Sequence, residues 1–316
     1  MMRKAALLYN PDSGGRRSRR QADLESVLRL LRDAGVEAEL VLSQSRDDAG
    51  DHTREAIASG CDTIFACGGD GTIHNIVQAL AKSPVALAIL PMGTANALAH
   101  DLNLPFNVIA AAKAALRASP RRVALGHVRY LDFEGKPGTR YFIVTAGIGA
   151  DAHLFYKLHA DSKRHLGVAA YYAKAWRLWL TYRMRHFSAE YMVAGTDERR
   201  SAQVTELMAV RIRNFGGVVQ ELAPGASLDR DDLRLVLART ASRTAYLAYV
   251  TRAVLRRKWT IPGIDLVHSS KVSCRYLSPP AAGVPFRKIY AEADGELLGT
   301  LPVEMSIVPN ALTLLA

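Results

Sequence analysis

Two acidic clusters could carry chemistry in this 316-residue chain. One is Asp70, set inside Gly68-Gly69-Asp70-Gly71-Thr72; the other is Asp294-Gly295-Glu296, near the C-terminal end. Glycines at 68, 69 and 71 let backbone N–H groups come close to a phosphate, but a carboxylate at their centre repels that phosphate unless a cation lies between them. Mg²⁺ binds through one or two carboxylates together with substrate phosphates, so Asp70 implies Mg²⁺ held with a nucleotide. Asp294 and Glu296 stand two apart, and on a strand or turn both carboxylates can point the same way. The glycine between them lets the loop approach another backbone. Asp-Gly by itself is more often a hairpin turn, so a purely conformational role competes with a chemical one.

Two further turns, Asn10-Pro11-Asp12-Ser13-Gly14-Gly15 and Pro91-Met92-Gly93-Thr94-Ala95-Asn96, share the setting of the Gly68 turn. Each follows a short apolar strand (4–9, 63–67 and 85–90) and precedes a helix-like segment (16–34, 72–82 and 96–102), with Thr72 placed to cap the second helix. In an open parallel sheet such loops converge on one crevice lined by backbone N–H groups and helix N-termini, which suits phosphate. Neither a Gly-x-x-x-x-Gly-Lys-Ser/Thr run nor a Gly-x-Gly-x-x-Gly fingerprint is present, so neither a P-loop nor a dinucleotide-binding Rossmann turn is indicated. Up to about Arg122 the pattern predicts an α/β domain with a largely parallel sheet (1–122), including a helix over 108–118. After Ser119-Pro120 it becomes strand-rich (123–133, 140–146, 189–193, 202–213, 233–238, 271–277, 287–293 and 301–308), which predicts an antiparallel β-sandwich over 123–308.

The length is that of two domains, and no apolar stretch reaches the ~18 residues a spanning helix needs. Met1-Met2-Arg3-Lys4 before an apolar run has the look of a leader, but Asn10-Pro11 ends that run too soon, and a first strand is expected. Cys61, Cys67 and Cys274 form no disulfide or zinc spacing, as suits a reducing cytoplasm. The 41 basic against 30 acidic residues, a formal charge of +11, fit an anionic partner: nucleic acid or a membrane surface. Two helix-like stretches combine aromatics, apolar stripes and basic residues. The first, 166–185, carries Tyr172, Trp176 and Trp179 with Lys174, Arg177, Arg183 and Arg185. The second, 245–259, carries Leu247, Val250 and Val254 with Arg252, Arg256, Arg257, Lys258 and Trp259. Such stretches either bury their stripes in the core or lie in a membrane interface.

Taken in order, Asn10-Pro11…Ser13-Gly14, Gly68-Gly69-Asp70-Gly71-Thr72, Gly93-Thr94-Ala95-Asn96 and Asp294-Gly295-Glu296 resemble the diacylglycerol kinase catalytic-domain family over nearly the whole chain. The resemblance implies an ATP-dependent lipid kinase in which Mg·ATP binds between the domains. Asn10, Ser13, Gly14, Gly68, Gly69, Asp70, Gly71, Thr72, Gly93, Thr94 and Asn96 would contact nucleotide, with Asp70 acting on its Mg²⁺ indirectly. Asp294 would be the general base toward the lipid hydroxyl and Glu296 its partner, while one of Arg16, Arg17, Arg19 and Arg20 would meet phosphate. The last residues, about 309–316, would return to the first domain, and Ala146-Gly147-Ile148-Gly149-Ala150-Asp151-Ala152 would face the lipid pocket or else be a loop with close backbone packing. Diacylglycerol is the default acceptor, with a sphingoid base or another lipid alcohol left open. The chain would be cytoplasmic and peripheral at the membrane, with no nucleic-acid partner and homodimerisation left open.

Two departures from the family pattern stand out. His74-Asn75 replaces the Asn-Glu that commonly follows the Gly-Gly-Asp-Gly-Thr turn. Arg230 and Ala124 fall where bacterial members hold a structural Mg²⁺; an Arg cannot ligate Mg²⁺, though Asp231 or Asp232 could rescue the site, and no structural metal is expected. The alternatives are NAD kinase, disfavoured because Asn96 is followed by Ala97, and a binding module without catalysis, disfavoured by intact Asp70, Asp294 and Glu296.

Overall fold

The computed structural model describes residues 2–11, 17–43, 48–149, 152, 181, 183–217, 220–278 and 288–316, with residues 17–19 by backbone alone. The chain opens with strand β1 (Lys4–Tyr9), helix α1 (Arg17–Asp33), β2 (Glu37–Leu42), α2 (Asp48–Ala58), β3 (Thr63–Gly68), α3 (Asp70–Leu80) and β4 (Ala86–Pro91). β1 lies between β2 and β3, β3 lies beside β4, and all three pairings are parallel. Alternation along these strands sends neighbouring side chains to opposite faces. Ile64, Ala66 and Ile89 join α2, α3 and the short helix α4 (Ala97–Asp101) in one core, whereas Phe65, Cys67 and Leu90 join α1 and α5 (Val108–Arg117) in another. Burial on both faces explains why these strands read as unbroken apolar runs. In-register pairing of Tyr9 with Cys67 and of Gly68 with Pro91 brings the strand ends to one level, where the predicted loops leave the sheet.

The remaining strands are β5 (Pro120–Leu131), β6 (Pro137–Phe142), β7 (Thr145–Ile148), β8 (Phe187–Val193), β9 (Arg199–Val204), β10 (Glu206–Val210), β11 (Leu233–Ala238), β12 (Ile264–Tyr276), β13 (Tyr290–Ala293) and β14 (Glu296–Leu315). Their mutual pairings are antiparallel around an apolar core that includes Phe142, Phe187, Leu235 and Met305. β14 is the connector. It pairs with β13, β12 and β5, then runs parallel to β4 at Thr313 and Leu314.

Several expected elements break where a side chain takes the backbone's hydrogen bonds. The run 140–146 is two strands because the N–H groups of Ile143, Val144 and Thr145 donate to Asp294. The run 202–213 breaks at Thr205, whose hydroxyl donates to the carbonyl of Ala238. Helix α3 starts at Asp70, two residues before the expected start, with Gly69 as its N-cap and no side-chain cap bond. Thr72 therefore does not cap it. Its side chain folds back against Gly68, where an added Cβ would meet Oγ1 at 2.4 Å.

The basic helix α6 (Arg243–Val254) is inverted relative to an ordinary amphipathic helix. Its buried residues are Tyr249, Arg252 and Ala253, whereas Leu247, Val250 and Val254 are exposed. No helix among the described residues is long and apolar enough to cross a membrane. The other basic stretch, 166–185, falls almost wholly outside the described residues.

Candidate active site

The second and third glycine turns meet directly. A Cβ on Gly93 would lie 2.4 Å from the Cα of Gly69, and one on Gly69 would lie 3.0 Å from the Cα of Gly93. Only paired glycines allow that approach. The third turn is closed by Asn96, in the left-handed conformation at φ 50°, whose Oδ1 accepts from the Gly93 amide at 2.9 Å and whose Nδ2 donates to the Gly93 carbonyl at 2.9 Å. Asp70 then ties the second turn to the third, its Oδ1 accepting from the Ala97 amide at 2.8 Å. Burial raises the Asp70 carboxyl above the usual carboxylate range, opposed by the nearby backbone N–H groups of residues 96–98. Gly69, Asp70, Gly71, Thr72 and Gly93 are half-buried and Thr94 is exposed, so the turns present an accessible surface. Because α3 has no side-chain cap, the Gly71 N–H at its start is open to an anion, whereas the Thr72 N–H donates to the Gly69 carbonyl at 3.0 Å. Asn10 lies just past β1, buried beside these turns, while Ser13, Gly14 and Arg16 lie outside the described residues.

Asp294 and Glu296 arrive from the far end of the chain. Ala293 pairs with Glu296 across β13 and β14, so Asp294-Gly295 forms a two-residue hairpin loop with φ of 48° and 82°. Positive φ at both positions is the geometry of the I′ turn, which Asp-Gly favours. The turn also delivers a side chain: the Asp294 carboxylate is only 3 % exposed and holds two elements together. Oδ1 accepts from the amides of Val144 and Thr145, each at 2.9 Å. Oδ2 accepts from the Ile143 amide at 3.0 Å and lies 3.3 Å from Nδ1 of His74, on α3. Glu296 reaches the same helix, since a Cβ on Gly71 would lie 3.8 Å from its Oε1. Folding therefore joins residues more than two hundred positions apart: both carboxylates stand at the start of α3, beside the glycine turns.

Sequence reasoning flagged His74 only as a departure, and two other residues escaped it. Gln78, one turn further along α3, donates to the Tyr141 carbonyl and accepts from the Tyr141 amide, both at 2.9 Å. Arg211 is fully buried and donates to the carbonyls of Arg230 at 2.8 Å, of Asp232, and of Ala124 at 3.1 Å. A guanidinium thus bridges the two segments where a metal was considered. Asp232, one of the considered rescuers, is occupied elsewhere: its carboxylate accepts from Arg230 Nε at 2.9 Å and lies 3.1 Å from Nδ1 of His268.

Comparison with known proteins places the chain. Residues 4–128 match the family model described as the diacylglycerol kinase catalytic domain, and residues 143–316 match the YegS C-terminal NAD kinase beta sandwich-like domain. The chain belongs to the diacylglycerol kinase catalytic-domain family. Its relatives include a diacylglycerol kinase of Bacillus subtilis (strain 168), 28 % identical over 306 residues that span 96 % of this chain and 93 % of the relative. Another, from Staphylococcus saprophyticus subsp. saprophyticus, is 27 % identical over 304 residues, spanning 96 % and 92 %. A crystal structure of a diacylglycerol kinase from Bacillus anthracis str. Sterne shares the fold, with a TM-score of 0.70 at 18 % identity over 99 % of this chain and 97 % of that one. Yeast NADH kinase complexed with NADH shares it more distantly, with a TM-score of 0.52 at 10 % identity over 100 % and 84 %.

Proposed function

We propose that this member of the diacylglycerol kinase family transfers the γ-phosphoryl group of ATP to a lipid hydroxyl, with diacylglycerol as the acceptor. The observation that carries the reading is the meeting of Asp294 and Glu296 with the first turns of α3, immediately behind paired glycine loops. The division of labour follows: residues 1–122, with 309–316 returning through β14, bind nucleotide, and 123–308 bind lipid. The residues fit Mg·ATP. The start of α3, which no side chain caps, offers its Gly71 N–H to phosphate, and the Gly69–Gly93 approach keeps side chains out of its way. Asp70 would hold the nucleotide's Mg²⁺ indirectly, and that ion when bound would neutralise phosphate charge.

Toward the acceptor, Asp294 takes the hydroxyl proton and Glu296 assists. Oδ2 is the oxygen suited to this, since its contact with His74, at 3.3 Å, is the longest of the four and comes from a side chain rather than a strand. Phosphoryl transfer depends chiefly on positioning and charge neutralisation, so a firmly held pair of carboxylates supplies what the reaction asks of the protein. Because diacylglycerol resides in a bilayer, the enzyme works peripherally at a membrane surface, for which the exposed apolar stripe of α6 and its basic neighbours are suited.

The test is labelled ATP offered with diacylglycerol, a sphingoid base and NAD in parallel. Label in phosphatidic acid is expected. The likeness to NADH kinase makes NAD the runner-up acceptor, and label in NADP alone would establish it. No transfer to any acceptor would leave a binding module.

A further inference from the structure

His74 is buried, and its two ring nitrogens stand in different situations. Nδ1 faces Oδ2 of Asp294 at 3.3 Å, while Nε2 is buried with no hydrogen-bond partner among the described residues. A buried polar atom left without a partner costs roughly 1–3 kcal/mol, so a histidine here needs a compensating role at its other nitrogen. The Asp294 carboxylate supplies it. Among the described residues four donors reach that carboxylate: the amides of Ile143 and Val144 between β6 and β7, the amide of Thr145 at the start of β7, and His74, which ties it to α3. His74 follows Asp70 by four residues, one helical turn, so it lies on the same side of α3 as the residue that opens the helix. The Gln78 bonds to Tyr141 continue the seam along that helix, holding α3 against β6.

We infer that His74 is a positioning residue: through Nδ1 it fixes the Asp294–Glu296 turn at a set distance from the N-terminal turn of α3. The inference rests on the reading of Asp294 as the base and of the α3 turn as the phosphate site. With Nδ1–H donating to an ionised Asp294, the carboxylate keeps four donors, two on each oxygen, and its direction is set from two sides. Without His74 the turn keeps its strand contacts and loses its register against the phosphate loop. ATP still binds, because the glycine turns and the start of α3 are untouched; the acceptor's oxygen no longer meets the γ-phosphorus in line. Misplacement on the order of 1 Å costs about 100-fold in rate.

The experiment compares H74L, H74N and H74Q with wild type and D294N, measuring kcat, affinity for a non-hydrolysable ATP analogue by calorimetry, and the thermal midpoint. H74L should lower kcat about 10- to 100-fold with analogue affinity within about twofold and an unchanged midpoint. H74N or H74Q, which carry an N–H donor near the same place, should regain most of the loss. Wild-type kcat in H74L alongside an inactive D294N would overturn the inference while leaving Asp294 as the base. A fall in the H74L midpoint with no recovery in either amide variant would overturn it in favour of packing alone. Full activity in D294N would remove the base and the positioning role together.

Discussion

Arg211 donates from Nη2 to the carbonyl of Ala124 at 3.1 Å, and from Nη1 to the carbonyl of Arg230 at 2.8 Å. A covalently tethered cation thereby joins β5 to the loop before β11. Burial draws the guanidinium down to about 10, with Asp232 and Asp231 opposing that shift, so it stays charged at neutral pH. Replacing it with Met strands carbonyls that have lost their donor, at roughly 1–3 kcal/mol each. Arg211→Met should lower stability by about 3 kcal/mol or more in denaturant titration, and Arg211→Lys by less. Chelation should stop catalysis by stripping Mg²⁺ from the nucleotide while leaving the melting temperature of the nucleotide-free enzyme unchanged. A clear drop on chelation would show that a metal, rather than Arg211, joins these segments.

The two carboxylates of the hairpin should separate on substitution. Asp294 holds three backbone amides, so Asn at that position sets an NH₂ group against donors and forfeits charged hydrogen bonds worth roughly 1.5–3 kcal/mol each. Asp294→Asn should therefore lose turnover and also unfold several degrees earlier. Glu296→Gln should lose turnover with a smaller fall in melting temperature than Asp294→Asn. Equal stability of both variants would mean that the Asp294 contacts contribute nothing net to the fold.

Asp70 gives a pH-dependent signature. Its carboxyl is raised by burial, so the folded state binds that proton more tightly than the unfolded chain does. The sign follows: this group adds stability as pH falls through its folded value and subtracts stability at neutral pH. Asn is neutral and can still accept from the Ala97 amide through Oδ1. Asp70→Asn should melt at or above the wild-type temperature at pH 7, with the difference shrinking toward pH 4. Its Mg·ATP affinity should fall. A variant that is less stable at pH 7, or that binds Mg·ATP as wild type does, would contradict this account.

How much of this was legible in the sequence depended on range. Glycine turns after apolar strands are local signals, and β1 and β3 with the loops after β3 and β4 lie where those signals put them. The Asp-Gly dipeptide announced a hairpin, and a hairpin formed. What its Asp holds was invisible, because the partners are backbone amides at 143–145, about 150 residues away, whose diversion also splits an expected strand in two. Strand β14 was foreseen only over 301–308, since its ends owe their extended form to β13, β5 and β4 rather than to alternation of their own. Helix α6 misled in the opposite sense. Arg252, counted among the surface charges, is buried, donating to the Leu222 carbonyl at 3.1 Å and stacked on the Tyr249 ring at 4.4 Å.

That inversion of α6 yields the last prediction. Leu247 is 48 % exposed, Leu255 53 % and Trp259 51 %, with Val250 and Val254 on the same helix also exposed. Arg256, Arg257 and Lys258 follow directly, all exposed. Apolar side chains facing water beside a basic run match an anionic bilayer, where the former enter the acyl boundary and each cation is worth roughly 1 kcal/mol. Arg256→Glu with Arg257→Glu should weaken co-sedimentation with anionic vesicles, by about tenfold or more, and added salt should weaken wild-type binding in the same direction. Leu247→Ser with Trp259→Ser should weaken it even at low salt. None of these side chains touches the glycine turns or the Asp294–Glu296 hairpin, so turnover of a short-chain, water-soluble acceptor should be unchanged. Equal vesicle binding by both double variants and wild type would show that α6 faces solvent alone.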